Sequence, residues 1–177
     1  MRLMKKTGIF FSILLLMSTL PVYTAKAAFA PPFDVSSNSV YLVNLDTGSV
    51  LYAKNEKQKV QPAVLSQIMT EIVALTEIKD QTTQVTAPSA IYNDLYGKSV
   101  YTADIRPLEK LSAKDFLYGM FLQNSYEAAL SLANHISGST SAFVTKMNEM
   151  AKTIGAVDTS FANPTGMDDN NQYTTAY

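Results

Sequence analysis

The sequence predicts an α+β domain in which strands come first and helices follow. Residues 39–55 read as a β-hairpin, and from Ala63 onward the apolar spacing changes from two to about 3.6. Two later apolar runs each end at a glycine, Gly138 and Gly155, where a helix would stop.

"SVYLVNLDTGSVLYAKN" (39–55) sets two runs rich in Val, Tyr and Leu around Asp46-Thr47-Gly48, a turn signal between strand patterns. "EKQKVQ" is a polar connector. Val64, Ile68, Ile72 and Leu75 then recur at i, i+4, i+8 and i+11, which predicts a helix that buries this face. After Lys79, "TQVTA" (83–87) reads as a short strand, and an irregular Tyr-containing loop runs to about Leu111. "SAKDFLYGMFL" (112–122) opens with Ser112 and Asp115 in capping-box spacing before turning apolar. "SYEAALSLANHISG" (125–138) and "TSAFVTKMNEMAKTIG" (140–155) predict two more helices. "FANPTGMDDNNQYTTAY" (161–177) is turn-rich and shows no strand pattern. A two-stranded hairpin is marginal alone, so the sheet reads as unfinished.

The first 27 residues read as an export signal. Arg2, Lys5 and Lys6 precede the short apolar core "GIFFSILLLMSTL" (8–20), and Ala25-Lys26-Ala27 supplies small residues for cleavage. That core is shorter than a bilayer span and is followed at once by Pro21, so no transmembrane segment is expected after cleavage. Residues 28–38 read as a flexible leader and 39–177 as one domain. The segment holds four of the 14 Lys and Arg residues and none of the 15 Asp and Glu, leaving 10 against 15, a net charge of −5. An acidic exported domain without a basic block argues against nucleic acid as a partner. With no cysteine, disulfides, thiolate metal sites and cysteine nucleophiles are excluded.

Several stretches together resemble one family. They are "LDTGSVLYAKN" in the hairpin, Pro62-Ala63 with Ile68-Met69-Thr70 at the head of the first helix, residues 108–139, and residues 143–177. In this order they resemble the N-terminal part of the D-alanyl-D-alanine carboxypeptidases, the low-molecular-mass penicillin-binding serine peptidases that trim peptidoglycan stem peptides. The resemblance implies a β-lactamase/penicillin-binding-protein-like transpeptidase fold. It is incomplete here, because the family's C-terminal strands find no counterpart. It also implies an extracytoplasmic location in the cell wall, periplasm or medium, and no cofactor.

The family's chemistry rests on three clusters. In Ser-x-x-Lys, one helical turn brings the lysine nitrogen to the serine hydroxyl, and the serine attacks the D-alanyl carbonyl. A Ser-x-Asn loop relays protons, and a Lys-Thr-Gly strand binds the substrate carboxylate. On this resemblance the serine position is Val64 and the lysine position Gln67. The Ser-x-Asn positions fall on Asn124, Ser125 and Tyr126, and Lys-Thr-Gly has no counterpart. Valine has no nucleophilic atom, and a glutamine amide takes no proton near neutral pH. Ser66, two positions along the helix, should face away from Val64. The expectation is a non-catalytic homologue whose candidate ligands are peptidoglycan stem peptides or a cell-wall enzyme. A truncated or divergent active carboxypeptidase, or an unstable fragment, are the alternatives.

Other residues read as structural. His135 lies where a helix C-terminus favours positive charge. "MDDNN" (167–171) lacks the glycine and distal glutamate of a calcium loop, so no metal site is expected. Met147 and Met150 read as core filler, and Tyr92, Tyr96 and Tyr101 as loop packing.

Overall fold

The computed structural model describes residues 35–177. The expected export signal and residues 28–34 of the leader lie outside the described residues. Strands β1 (Val40–Val43) and β2 (Val50–Lys54) form a two-stranded sheet where the hairpin was expected. Its turn is closed by Asn44: the backbone carbonyl accepts from Gly48 N at 2.8 Å, and Oδ1 accepts from the Asp46 and Thr47 amides. Gly48 takes φ +67°, a conformation that favours glycine. The described chain falls into two compact units, one holding Val35 and Leu42–Tyr52, the other Ser36–Tyr41 with Ala53–Tyr177.

All helices among the described residues belong to the second unit. A single 3₁₀ turn (Ala63–Leu65) leads into α1 (Ser66–Glu77). Next come β3 (Gln84–Thr86), α2 (Ile91–Leu95) and β4 (Lys110–Ser112). β3 and β4 pair antiparallel with Val85 opposite Leu111, forming a second, separate sheet. Both β4 and α2 lie in the stretch read from sequence as irregular. At three and five residues, neither is long enough to display a period.

Helix α3 (Ala113–Gln123) starts in the expected capping box: Ser112 Oγ accepts from Asp115 N, and the Asp115 carboxylate accepts from Ser112 N. The Ser112 hydroxyl, and after it the Ser112 backbone N–H, donate to the Asp115 carboxylate and hold it below its usual range. α4 (Tyr126–Ser137) is capped by Ser125 and stopped by Gly138 at φ +72°. α5 (Thr140–Thr153) is capped by Ser139, and Gly155, at φ +86°, lies just past its end.

Of the face expected to be inner on α1, Val64 and Ile72 are half-buried against core clusters, and the other two positions are not inside. Ile68 and Leu75 are exposed, while Ser66, Gln67, Met69, Thr70, Val73 and Ala74 are buried. The helix has apolar residues on two faces, and its buried face also carries polar side chains that find hydrogen-bond partners elsewhere in the chain. Apolar periodicity cannot see such a face, because it counts buried Gln67 and Thr70 as surface.

The core is organised by α4, in which every residue from Tyr126 to Ala133 is buried. Ala128, Ala129 and Leu132 pack with Val85, Phe116 and Met120. Ala133 packs with Met69, Val73, Phe143 and Met147, the last as expected for a core methionine. Tyr126 and Leu130 pack with Ile91 and Leu95 of α2. The C-terminal stretch, read as strandless, makes two isolated antiparallel bridges, Val60 with Thr174 and Ser160 with Tyr173. Among the described residues no helix is long and apolar enough to cross a membrane.

Because α4 is enclosed by packed neighbours, a larger side chain at Ala133 has no free space to enter. Ala133→Leu should lower stability by roughly 1–3 kcal/mol, measured as a reduced urea midpoint with an unchanged slope.

Candidate functional site

The site is built at the head of α1. Pro62 and the left-handed Ala63 (φ +47°) lead the chain into the 3₁₀ turn. Against them lies the turn Asn163–Met167. Asn163 Oδ1 accepts from Thr165 N, Thr165 Oγ1 and Gly166 N, and its Nδ2 donates to Met167 O at 2.9 Å. Gly166 has φ +84°, and a Cβ added there would lie 2.1 Å from the Ala63 carbonyl oxygen. Only a residue without a side chain lets this turn approach the helix start so closely.

Gln67 joins the parts together. Its side chain is buried, and its Nε2 donates to Asn124 O at 3.1 Å and to Thr165 O at 2.9 Å. One turn later, Thr70 Oγ1 donates to Pro164 O at 2.8 Å. The end of α3, the head of α1 and the Asn163–Met167 turn are thus tied by neutral donors. Gln67 Oε1 is buried without a partner.

Val64, Gln67 and Asn124 line one small cavity of about 130 Å³, with Ile68, Glu71, Met120 and Phe121 around them. Val64 is half-buried and packs on the cluster of Ile91, Leu95, Tyr126 and Leu130. The lining contains no serine, threonine, lysine or histidine. Its one ionisable group is Glu71, whose carboxyl is raised by burial. What the lining offers is shape, apolar surface and amide dipoles.

The remaining candidates are elsewhere or otherwise engaged. Ser66 is buried, does not line the cavity, and its Oγ has no partner. Asn124 takes the left-handed C-cap of α3 at φ +52°. Ser125 Oγ is occupied in capping α4, accepting from Ala128 N at 3.1 Å. Tyr126 is buried beside Tyr101 in an edge-on ring contact, and burial first, then Tyr101 and Asp168, raises its phenol. Tyr92 donates to Ile105 O at 2.5 Å, and burial together with Glu127 and Glu109 pushes its hydroxyl up to about 12. Tyr96 is exposed. His135 is exposed in the last turn of α4. Asp169 Oδ1 accepts from Asn171 N within a turn. Among the described residues no group of three or more His, Cys, Asp and Glu side chains is placed to hold a metal ion.

Sequence reasoning missed the roles of Asn163, Thr165 and Gly166, and also that of Glu127. Buried Glu127 accepts through Oε1 from Thr102 Oγ1, Ala103 N and Ile105 N, and so straps the loop before β4 onto α4. An acidic residue in the first turn after the Ser125 N-cap reads as a partner for the helix dipole, but here the carboxylate bonds to a distant loop.

Residues 24–177 match the family model described as D-alanyl-D-alanine carboxypeptidase. The chain is 34% identical over 144 residues to the D-alanyl-D-alanine carboxypeptidase DacF of Bacillus subtilis, covering 80% of this chain and 36% of that one. It is 32% identical to a D-alanyl-D-alanine endopeptidase of Escherichia coli, covering 81% of this chain and 46% of that one. Among solved structures, penicillin binding protein 5 of Haemophilus influenzae is similar with a TM-score of 0.74 at 30% identity, over 83% of this chain and 44% of that one. A D-alanyl-D-alanine carboxypeptidase of Mycobacterium tuberculosis gives 0.74 at 27% identity, over 84% and 55%. The chain therefore spans about a third to a half of the length of the relatives it matches.

Two variants probe the tie at the head of α1. Gln67→Ala removes the donor to two carbonyls and should cost about 1–3 kcal/mol, read by chemical denaturation. Gly166→Ala must move the Ala63 carbonyl and adopt a disfavoured φ. It should cost on the order of 1–3 kcal/mol and raise amide exchange at residues 63–67.

Proposed function

This chain belongs to the D-alanyl-D-alanine carboxypeptidase family, and on that premise we propose that it is an exported, non-catalytic homologue acting in peptidoglycan metabolism. The observation that carries the reading is the content of the cavity at the head of α1. Val64 and Gln67 stand at the positions the resemblance gives to nucleophile and base, and no other hydroxyl or amine lines the space. Removing a catalytic hydroxyl or its base costs on the order of 10⁶ in kcat in a serine protease. Gln67 moreover spends its amide hydrogens on Asn124 O and Thr165 O, a bracing role that needs no proton transfer. Asn124 and Tyr126, at the ends of the Ser-x-Asn position, serve as a helix C-cap and a core residue.

In this reading residues 1–27 are removed on export and 39–177 form the folded domain, whose ligands are peptidoglycan stem peptides or a cell-wall enzyme. One observation favours a second reading: the chain covers only 36% of the Bacillus subtilis relative, as a piece of a longer or truncated carboxypeptidase would. Under either reading Val64 blocks covalent chemistry by the family's route.

Treating the purified protein with fluorescent penicillin beside an intact family member should label only the latter. The double variant Val64→Ser, Gln67→Lys should also remain unlabelled. A mass increase from acylation on the wild-type chain would sink the non-catalytic reading.

A further inference from the structure

The loop that follows α2 presents two aromatic rings to solvent and is itself firmly held. Tyr96, at the end of α2, is 90% exposed, and Tyr101 is more than half exposed. Between them the chain turns at Gly97, which takes φ +72°, with Lys98 N donating to Leu95 O. Val100 is half-buried against Ile91, Leu95, Tyr126 and Leu130. Tyr101 O accepts from Tyr126 N at 2.9 Å, and the two rings meet edge-on with centroids 5.9 Å apart. The next two residues are tied to buried Glu127, Thr102 through its hydroxyl and Ala103 through its amide. The buried carboxylate thus fixes the main chain that presents Tyr101. A rigid, exposed tyrosine offers a large contact area at low entropic cost on binding.

A cleft of about 420 Å³ opens beside this loop, within the size range of ligand sites. Leu130 and Met167 line it, and both belong to the cluster that carries Val100 and Tyr126. The rest of the lining is polar. Asp94 comes from α2, Lys98 from the loop, and Asp168 from the stretch after Gly166. The side chains of Asp94 and Lys98 form neither a hydrogen bond nor an ion pair among the described residues. This mixture selects a ligand class. An apolar ligand would strand the carboxylates and the ammonium without partners, and a basic peptide would meet Lys98 as a like charge. A pyranose ring satisfies both parts. Its C–H face packs on an aromatic ring, and its hydroxyls donate to carboxylates and accept from an ammonium.

We propose that this loop and cleft form a glycan-binding site, in which a saccharide strand stacks on Tyr96 and Tyr101 and hydrogen-bonds to Asp94, Lys98 and Asp168. The choice of glycan rests on the peptidoglycan reading above, to which it adds the sugar strand as a ligand beside the stem peptide. The cleft shares no lining residue with the Val64–Gln67 cavity, so the two readings fail separately. An unlabelled chain that binds no glycan loses only this inference. A chain that penicillin acylates and that binds glycan loses only the non-catalytic reading.

The test titrates the purified full chain calorimetrically with soluble, peptide-free glycan strands released from peptidoglycan. Binding should be saturable. Tyr101→Ala should weaken it roughly two- to tenfold, the scale of one aromatic contact, while Tyr101→Phe, which keeps the ring, should retain it. Tyr96→Ala with Lys98→Ala should weaken it by a similar factor or more. Tyr118→Ala removes an exposed tyrosine from α3 and should leave binding unchanged. All these side chains are exposed, so circular dichroism should show the variants folded. Absence of binding at millimolar strand concentration, or binding that the Tyr96 and Tyr101 variants leave unchanged, overturns the proposal. So does a lysine-rich peptide that binds more tightly than the strands and is lost in the same variants, because the occupant would then be a basic polypeptide.

Discussion

The second unit depends on enclosing one helix. From Tyr126 to Ala133, α4 meets protein on every side, and three of its residues there are alanines, which let neighbouring elements approach closely. The three apolar clusters are three sectors around that helix. Its buried carboxylate shows the cost of that enclosure: Glu127 cannot be buried without donors, and its Oε1 finds them on Thr102, Ala103 and Ile105. The loop before β4 is ordered because the carboxylate requires it.

The head of α1 is organised by a similar demand from a neutral side chain. A buried primary amide must place its hydrogens, and Gln67 places them on two carbonyls from distant parts of the chain. The result is a structural cross-brace at the position the resemblance gives to a base. A lysine there would need compensation for its charge, and the small cavity offers only Glu71 as a counter-ion. Glutamine retains reach and donors without charge. Gln67 therefore holds the architecture around the cavity together with neutral hydrogen bonds to Asn124 O and Thr165 O.

Local signals were legible in the sequence, and non-local ones were not. The hairpin turn, the Ser112–Asp115 box and the glycine stop at Gly138 all depend on residues within a few positions of each other, and each stands where the sequence placed it. Val64, Gln67 and Asn124, singled out through the resemblance, share one cavity. What escaped were relationships across the chain. Gln67 bonds to residues 57 and 98 positions away, and β3 pairs with a three-residue strand after a long loop. The mixed face of α1 has the same origin. Gln67 and Thr70 are inside because Pro164, Thr165 and Asn124 present carbonyls to them, and the exposed aliphatic residues look like core to any periodicity count.

The contact between Gly166 and the Ala63 carbonyl couples two positions that are remote in sequence. A side chain at 166 is excluded unless the backbone at 63 relaxes, and a relaxed 63 would re-aim the first turn of α1. A Cβ at 166 would also lie 2.9 Å from Val64 Cα, so the main chain under the cavity shares that coupling. The main-chain posture beneath the cavity is therefore held by a residue that contributes no side chain to it.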